Sequence, residues 1–289
     1  MLLTAALWSL NGPLIKLLDA QGGGLDAIAI AFYRSLLGGL CFAPIGWRRR
    51  RSLRRAKPIW TAASVLMFTA MTSTLVAAMT MTTAANAIIL QYTAPVWVAV
   101  LSPFLLKERM RTTEAAAMTA AMMGVAVLFF GNPVSHRSAM FVALLSGLFF
   151  GLLLIALRAL RHTDPFAVVA LNTLGSALLM APAVFFFGSF AFTPAQFGLL
   201  ILLGFLQFSL PYAIYSWASR RIKAHRASLI VLMEAVFTPT MTFLTVGETF
   251  PLATSVGGVF IVAGAASALF TIKETDEIAI DHPHLDHGD

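Results

Sequence analysis

The chain has 289 residues, of which 58% are hydrophobic and only 11% are charged, and its mean hydropathy is +0.82. Soluble globular domains carry about 25% charged residues, so this composition excludes a soluble domain and indicates an integral membrane protein. The formal net charge of +7 resides in short basic clusters between apolar runs, which does not favour nucleic acid as a partner.

Apolar runs of about 20 residues follow one another along the chain, and each can cross a hydrocarbon core of roughly 30 Å. They lack the alternation of apolar and polar residues that barrel strands have, so each run predicts a helix. Ten spans are predicted, at residues 2–18, 26–46, 58–80, 84–105, 113–130, 139–159, 165–188, 195–218, 227–246 and 249–271. The polar, acidic tail at residues 274–289 is predicted to be disordered.

Lys and Arg residues set the predicted orientation. The clusters after spans two, four, six and eight hold 7, 3, 2 and 4 basic residues, which is 16 of the 20 in the chain. Because basic residues concentrate in cytoplasmic loops, these span ends and both termini are predicted to face the cytoplasm. The expected location is the inner (cytoplasmic) membrane, with the lipid bilayer around the spans.

The second half of the chain repeats the first at a nearly constant offset. Asp26 matches Asp164 at an offset of 138 residues, and Ala84 matches Ala224 at an offset of 140. Five spans are an odd number, so the second copy must cross the membrane in the opposite orientation. The predicted fold is an all-α integral membrane protein with ten transmembrane helices in two inverted five-helix repeats, at residues 1–133 and 134–273. Such halves can exchange conformations and give alternating access to a central site.

Polar and aromatic residues deep in the spans predict a substrate cavity. Polar groups in hydrocarbon cost free energy unless they find partners, so these positions are expected to face the bundle interior. The candidate cavity residues are Trp8, Asn11, Gln91, Tyr92, Trp97, Gln207, Tyr212, Tyr215 and Glu234, and the candidate hinges are Pro95, Pro211 and Pro239. Residues that only pack between helices, and static proline kinks, are compatible with the same pattern.

Two charged residues, Arg34 and Glu234, lie about 12 Å inside their spans. Arg34 is counted from the outer face and Glu234 from the inner face, which leaves the two residues about 6 Å apart in depth. A long Arg side chain could bridge this distance, so the sequence suggests a structural pair. Alternatively, Glu234 exchanges a proton or attracts a substrate ammonium group.

Two stretches at corresponding places in the halves carry a family resemblance. They read MTMTTAANAIILQYTAPVWVAVLSPFLLKERM at 79–110 and YSWASRRIKAHRASLIVLMEAVFTPTMTFLTVGE at 215–248. Both resemble the paired signatures of the EamA family in the drug/metabolite transporter superfamily, and most of all those of YddG-type amino-acid exporters. The resemblance implies ten spans, cytoplasmic termini, a central cavity and export of small metabolites. In the second stretch Glu234 is followed by Ala235, where the family usually has proline, and the proline comes later, at Pro239.

Among functional classes, a secondary transporter fits these features best. The sequence has no phosphate-binding loop, no metal-binding helix motif and no cofactor motif, so neither an enzyme, a metal nor a cofactor is predicted. The scarcity of intramembrane cations argues against phosphorylated substrates and favours neutral or zwitterionic solutes with apolar side chains. This agrees with the export of amino acids, including aromatic or apolar ones, that the resemblance implies. A multidrug or other metabolite carrier of the same fold is the alternative, as is a small-solute channel. The expected partner is a small-molecule substrate; a monomer is compatible with the sequence, which does not determine the oligomeric state.

Overall fold

The computed structural model describes residues 2–21, 25–107, 112–131, 137–188, 192–218, 234–247, 249, 252–253, 255–260 and 263. Within these residues every regular element is helical, so the predicted all-α class is confirmed for this part of the chain. The predicted disordered tail at 274–289, the start of the ninth span and part of the tenth lie outside the described residues.

The helices are numbered here in chain order. They are α1 (Leu2–Trp8), α2 (Asn11–Ala20), α3 (Ala27–Arg49), a 3₁₀-helix (Arg50–Arg55), α4 (Pro58–Met81), α5 (Ala84–Gln91), α6 (Ala94–Leu105), α7 (Thr112–Gly131), α8 (Arg137–Ala159), α9 (Pro165–Phe187), α10 (Pro194–Ile201), a π-helix (Leu202–Ser209), α11 (Leu210–Ala218) and α12 (Glu234–Val246).

Six helical segments within the described residues are long and apolar enough to cross a membrane. They are Ala27–Arg55, Pro58–Met81, Ala84–Leu105, Arg137–Ala159, Pro165–Phe187 and Pro194–Ala218. They correspond to predicted spans two, three, four, six, seven and eight. The full set of ten spans stays a prediction.

Two aspartates that the sequence repeat matches have the same local role. Asp26 caps the start of α3 by accepting the N–H of Ala29 at 2.7 Å. Asp164 caps the start of α9 by accepting the N–H of Phe166 at 3.0 Å. Its other carboxylate oxygen lies 2.7 Å from a guanidinium nitrogen of Arg49 at the end of α3. The end of α3 therefore lies beside the start of α9, and these two helices make the most extensive contact of any described helix pair.

Spans one and four each consist of two helices rather than one. In span one, the chain turns between α1 and α2, and in span four between α5 and α6. A proline follows each turn, Pro13 in α2 and Pro95 in α6. Proline has no N–H, so it cannot pair with the carbonyl four residues earlier. The carbonyls that lose a helical partner in this way belong to Ser9 and Gln91, and both lie where the helix stops.

Span eight departs from the α-helix without breaking. Its middle is the π-helix, and α11 then resumes with Pro211 as its second residue. In the π-helix pattern the N–H of Leu210 pairs with the carbonyl of Phe205, five residues earlier, so the N–H that Pro211 lacks is the one that would pair with the carbonyl of Leu206. Single π turns within α-helices occur frequently at functional sites. Pro239, the third predicted hinge, lies buried inside α12, which continues through it as one α-helix.

Glycines allow the closest helix contacts. A side-chain carbon on Gly38 of α3 would meet the backbone carbonyl of Gly204 in the π-helix. On α8, such a carbon at Gly147 would lie 2.9 Å from the carbonyl oxygen of Gln91, and one at Gly151 would lie 2.9 Å from that of Ala94. Helix α8 therefore packs directly against the junction between α5 and α6.

We expect Gly38→Ala to destabilise the protein, because the added methyl group must push α3 away from the π-helix. Overpacking of this kind costs about 1–3 kcal/mol, which corresponds to a melting temperature lower by about 5 °C in detergent. The matched control is Gly198→Ala in α10, where the methyl group would have no heavy atom of the described residues within 4 Å. Equal melting temperatures for the two variants would contradict the close contact.

Candidate functional site

A small cavity lies where helices from both halves of the chain meet, and it is called the central cavity here. It is lined by six of the residues that the sequence singled out: Trp8, Asn11, Gln91, Gln207, Tyr212 and Glu234. Its volume is about 20 Å³, which is room for about one water molecule. The structure therefore brings these candidates together around one small space.

Five further residues line the central cavity without having been proposed for it. They are Arg34, Met71, Leu75, Phe150 and Phe208. Arg34 carries a sequence signal, a charge deep within a span, but the sequence suggested only a structural role for it. The other four are apolar residues in apolar helices, and nothing in their spacing separates a cavity wall from ordinary helix packing.

Arg34 is the most buried charged group described, with 1% of its surface exposed. One terminal nitrogen donates to Oδ1 of Asn11 at 3.0 Å, and the other donates to Oγ1 of Thr72 at 2.5 Å. The guanidinium carbon also lies 4.0 Å from the ring centroid of Phe208, a cation–π contact. Neutral groups from α2, α4 and the π-helix thus hold this cation in place.

Glu234 has a different partner. Its carboxyl oxygen Oε2 accepts a hydrogen bond from the hydroxyl group of Tyr92, which follows the last residue of α5. The direct pair between Arg34 and Glu234 that the sequence suggested is therefore not formed in this structure. Both side chains line the central cavity, each held by its own neutral partner.

Two glutamines connect the irregular helices to their neighbours. Nε2 of Gln91 donates to Oγ of Ser146 on α8 at 2.9 Å. Nε2 of Gln207 donates to the backbone carbonyl of Trp8 at 3.2 Å. That carbonyl belongs to the last residue of α1, so the amide satisfies a helix end where the chain turns.

One wall of the central cavity is aromatic. The ring of Trp8 lies 4.7 Å from that of Tyr212 and 5.9 Å from that of Phe150, measured between centroids. The ring of Tyr215 packs behind Trp8 at 5.8 Å. The hydroxyl group of Tyr212 lies 3.8 Å from the sulfur of Met71. This wall presents ring faces and a thioether, which suit an apolar or aromatic group.

Polar atoms at the cavity are left over after these contacts. Within the described part of the chain, Nε of Arg34, Nε1 of Trp8 and Oε1 of Gln207 are buried and have no hydrogen-bond partner. A buried polar group without a partner costs about 1–3 kcal/mol, so such groups point to a ligand or to water.

Three candidate residues do not line the central cavity. Tyr92 holds Glu234 from behind, and Tyr215 supports the ring of Trp8. Trp97 is 37% exposed, on the surface of α6. The Cβ of Trp97 lies against α8, since a side-chain carbon built on Gly151 of that helix would come within 2.8 Å of it. Among the described residues, no cluster of three or more His, Cys, Asp or Glu side chains could hold a metal ion.

The apolar helices and the cavity between them, lined by polar and aromatic side chains, are typical of a multi-pass membrane protein of the transporter type. The chain belongs to the EamA-like transporter family, whose sequence profile matches residues 1–130 and again residues 137–270. It is therefore a membrane transporter and not an enzyme. The double match indicates two copies of the family unit in one chain.

A curated transporter and a solved structure are among the proteins that are similar to this chain. An uncharacterized transporter of Archaeoglobus fulgidus is 26% identical over 249 residues, which is 85% of this chain and 87% of the relative. A solved structure described as "Crystal structure of protein" has a TM-score of 0.73 at 18% identity, and the match covers 94% of this chain and 96% of that one. At this identity the solved structure supports the fold alone.

We expect Tyr92→Phe to destabilise the protein, because it leaves a buried oxygen of Glu234 without its donor. The expected cost is about 1–3 kcal/mol, measured as a lower melting temperature in detergent. Tyr215→Phe is the matched control, since the hydroxyl group of Tyr215 is buried without a partner among the described residues. A loss of stability in the control as large as that in Tyr92→Phe would contradict this role of the Tyr92 hydroxyl group.

Proposed function

We propose that this chain is a secondary transporter of the inner membrane that exports neutral amino acids, above all those with aromatic or apolar side chains. One observation carries the proposal. A guanidinium group, a carboxyl group and an aromatic wall line the same closed cavity. An amino acid has a carboxylate, an ammonium group and a side chain, and each has a counterpart there.

The two charged groups of an amino acid have polar counterparts in the central cavity. The substrate carboxylate would bind Arg34, whose Nε has no partner among the described residues and whose charge strengthens the hydrogen bond. The substrate ammonium group would bind the carboxyl group of Glu234 and the unpartnered Oε1 of Gln207. Together these contacts would select a zwitterion over a molecule that carries one charge, because each charge left unpaired in the cavity would cost free energy.

The aromatic wall provides the third counterpart. Trp8, Phe150 and Tyr212 present their rings to the cavity, so an aromatic or apolar side chain would pack against them. A charged substrate side chain would meet no opposite charge on this wall. We therefore propose that aromatic and large apolar amino acids are preferred over acidic and basic ones.

The size of the cavity supports a closed state. Its volume of about 20 Å³ is far smaller than the several hundred Å³ of a small-molecule site. Substrate can enter only if the helices around the cavity separate. The turns between α1 and α2 and between α5 and α6, together with the π-helix, are the proposed places where they bend. Pro95 and Pro211 follow two of these places.

The number of spans and their orientation are inferred from the sequence. We propose ten spans in two inverted repeats, residues 1–133 and 134–273, with both termini in the cytoplasm. Exchange of conformation between the halves would open the central cavity to each side in turn.

Counterflow in proteoliposomes tests the proposed function. Vesicles loaded with unlabelled Phe, Met or Thr should accumulate trace labelled substrate above its equilibrium level for a short time, because a carrier exchanges bound substrate. Equilibration without an overshoot would identify a channel instead. The absence of flux for every amino acid, with flux of apolar drugs, would identify the multidrug alternative.

Substrate analogues test which group of the substrate each of the two charged residues, Arg34 and Glu234, binds. Arg34→Gln should reduce transport of Phe at least about tenfold, since it removes a charge-assisted bond worth about 1.5–3 kcal/mol. It should have a much smaller effect on phenylalanine amide, which has no carboxylate. Glu234→Gln should show the reverse selectivity and spare N-acetylphenylalanine, which has no ammonium group.

Trp217→Phe, at the exposed end of α11, controls for expression and reconstitution. An equal loss of transport for Phe and for both analogues in each variant would contradict the assigned roles of Arg34 and Glu234.

A further inference from the structure

A second and larger cavity lies at the basic end of the bundle. Its volume is about 540 Å³, which is within the range of small-molecule sites. The end of the 3₁₀-helix, the start of α4 and the ends of α6 and α8 surround it. It is called the basic vestibule here, after Arg55, Lys57 and Arg161, which line it.

The basic vestibule and the central cavity lie along the same helices. On α4, Trp60 lines the vestibule and Met71 lines the central cavity, eleven residues or roughly 16 Å further on. On α8, Ala159 lines the vestibule and Phe150 lines the central cavity, nine residues or roughly 14 Å away. Two helices therefore give the same separation, and the vestibule lies about 15 Å from the central cavity toward the basic end.

An apolar layer separates the two cavities. Leu153 and Leu157 of α8 lie between the two lining positions of that helix, and both are buried. Val98 of α6 is buried as well, and it lies between the junction with α5 and the vestibule end of that helix. This layer is where the route would have to open.

Within the part of the chain that the structure describes, no carboxylate neutralises the cations of the vestibule. Among the described residues, Arg55, Lys57 and Arg161 have no carboxylate within 4.0 Å. Nε of Arg161 donates to a ring nitrogen of His162 at 3.2 Å, a partner that brings no negative charge. The nearby carboxylate of Asp164 is paired with Arg49. A concave surface with several cations of one sign focuses its field and attracts anions.

We propose that the basic vestibule is a receiving site for the carboxylate of the transported solute, at the membrane face that the charge distribution predicts to be cytoplasmic. Arg55, Lys57 and Arg161 bind the carboxylate, and the ring of Trp60 lies on the path toward the central cavity. Passage then requires α6 and α8 to separate at the apolar layer. The identity of the solute rests on the proposed function, whereas the anion site can be tested without transport.

A cysteine probe measures the charge preference of the vestibule directly. Ala56 lines it, so Ala56→Cys is introduced into a Cys41→Ser background, which removes the native cysteine of the chain. In phosphatidylcholine vesicles, the labelling rates of a negatively charged (sulfonatoethyl) and a positively charged (trimethylammonioethyl) methanethiosulfonate are compared. Relative to a free thiol in solution, we expect the ratio of negative to positive labelling to be raised about tenfold.

Two further measurements show whether the named side chains cause this preference. Arg55→Gln, Lys57→Gln and Arg161→Gln should each lower the ratio, and together should bring it to the value in solution. The matched control is Arg54→Gln, which removes a charge from the same 3₁₀-helix at a position that does not line the vestibule. Raising the ionic strength should lower the ratio in the unmodified background, without any risk of misfolding.

The ligand is tested by protection. Millimolar Phe should slow labelling of the Ala56→Cys variant by the negatively charged reagent, whereas phenylalanine amide should not. A ratio equal to that in solution would overturn the anion site, whatever counterflow shows. A raised ratio without protection by any amino acid would overturn the receiving role and, with failed counterflow, the proposed substrate. Loss of labelling when phosphatidylglycerol is added would assign the site to a lipid headgroup and overturn the proposal.

Discussion

A guanidinium group far from water sets the arrangement of the polar interior. A cation within a membrane span is expensive unless neighbouring groups replace its hydration. Arg34 of α3 obtains these groups from Asn11 on α2, Thr72 on α4 and Phe208 in the π-helix. The cation therefore holds three helices around one point. Its remaining donor, Nε, is unpartnered among the described residues, so the same arrangement leaves capacity to bind an anion.

The irregular helices obey the same constraint at the level of the backbone. Prolines at 13 and 95 deprive the carbonyls of Ser9 and Gln91 of their helical partners. Within a bilayer such groups are tolerated only where protein or a water-filled space surrounds them. The side chain of Gln91 lines the central cavity, so one of these two carbonyls belongs to a cavity residue, and the π-helix contributes Gln207 and Phe208 to the same lining. Irregular backbone and a polar site thus occur together because each needs the interior that the other provides.

Close packing explains why the cavity is small. Glycines on α8 allow this helix to touch the junction of α5 and α6, and Gly38 allows α3 to touch the π-helix. These contacts have no long side chains that could adapt to a change in distance. Separation of the helices at these contacts as rigid pieces would suit the proposed exchange between a closed and an open cavity. The basic vestibule would be the first space to join the central cavity when α6 and α8 part.

The sequence by itself determined the class of protein and the helical spans that the structure describes. It also identified Asp26 and Asp164 as equivalent positions of the two halves. These features could be predicted because hydropathy, charge bias and helix caps act over a few neighbouring residues. The sequence also identified six cavity residues, since a polar or amphipathic side chain deep in an apolar span requires a protein neighbour. Only the tertiary structure decided that Arg34 binds Asn11 and Thr72 instead of Glu234. It also decided which apolar residues complete the lining of the central cavity, namely Met71, Leu75, Phe150 and Phe208. Trp97 lies outside this lining. The physical reason is that these outcomes depend on which helix faces come together across the bundle, and an apolar residue looks the same in sequence whether it faces lipid, another helix or a cavity.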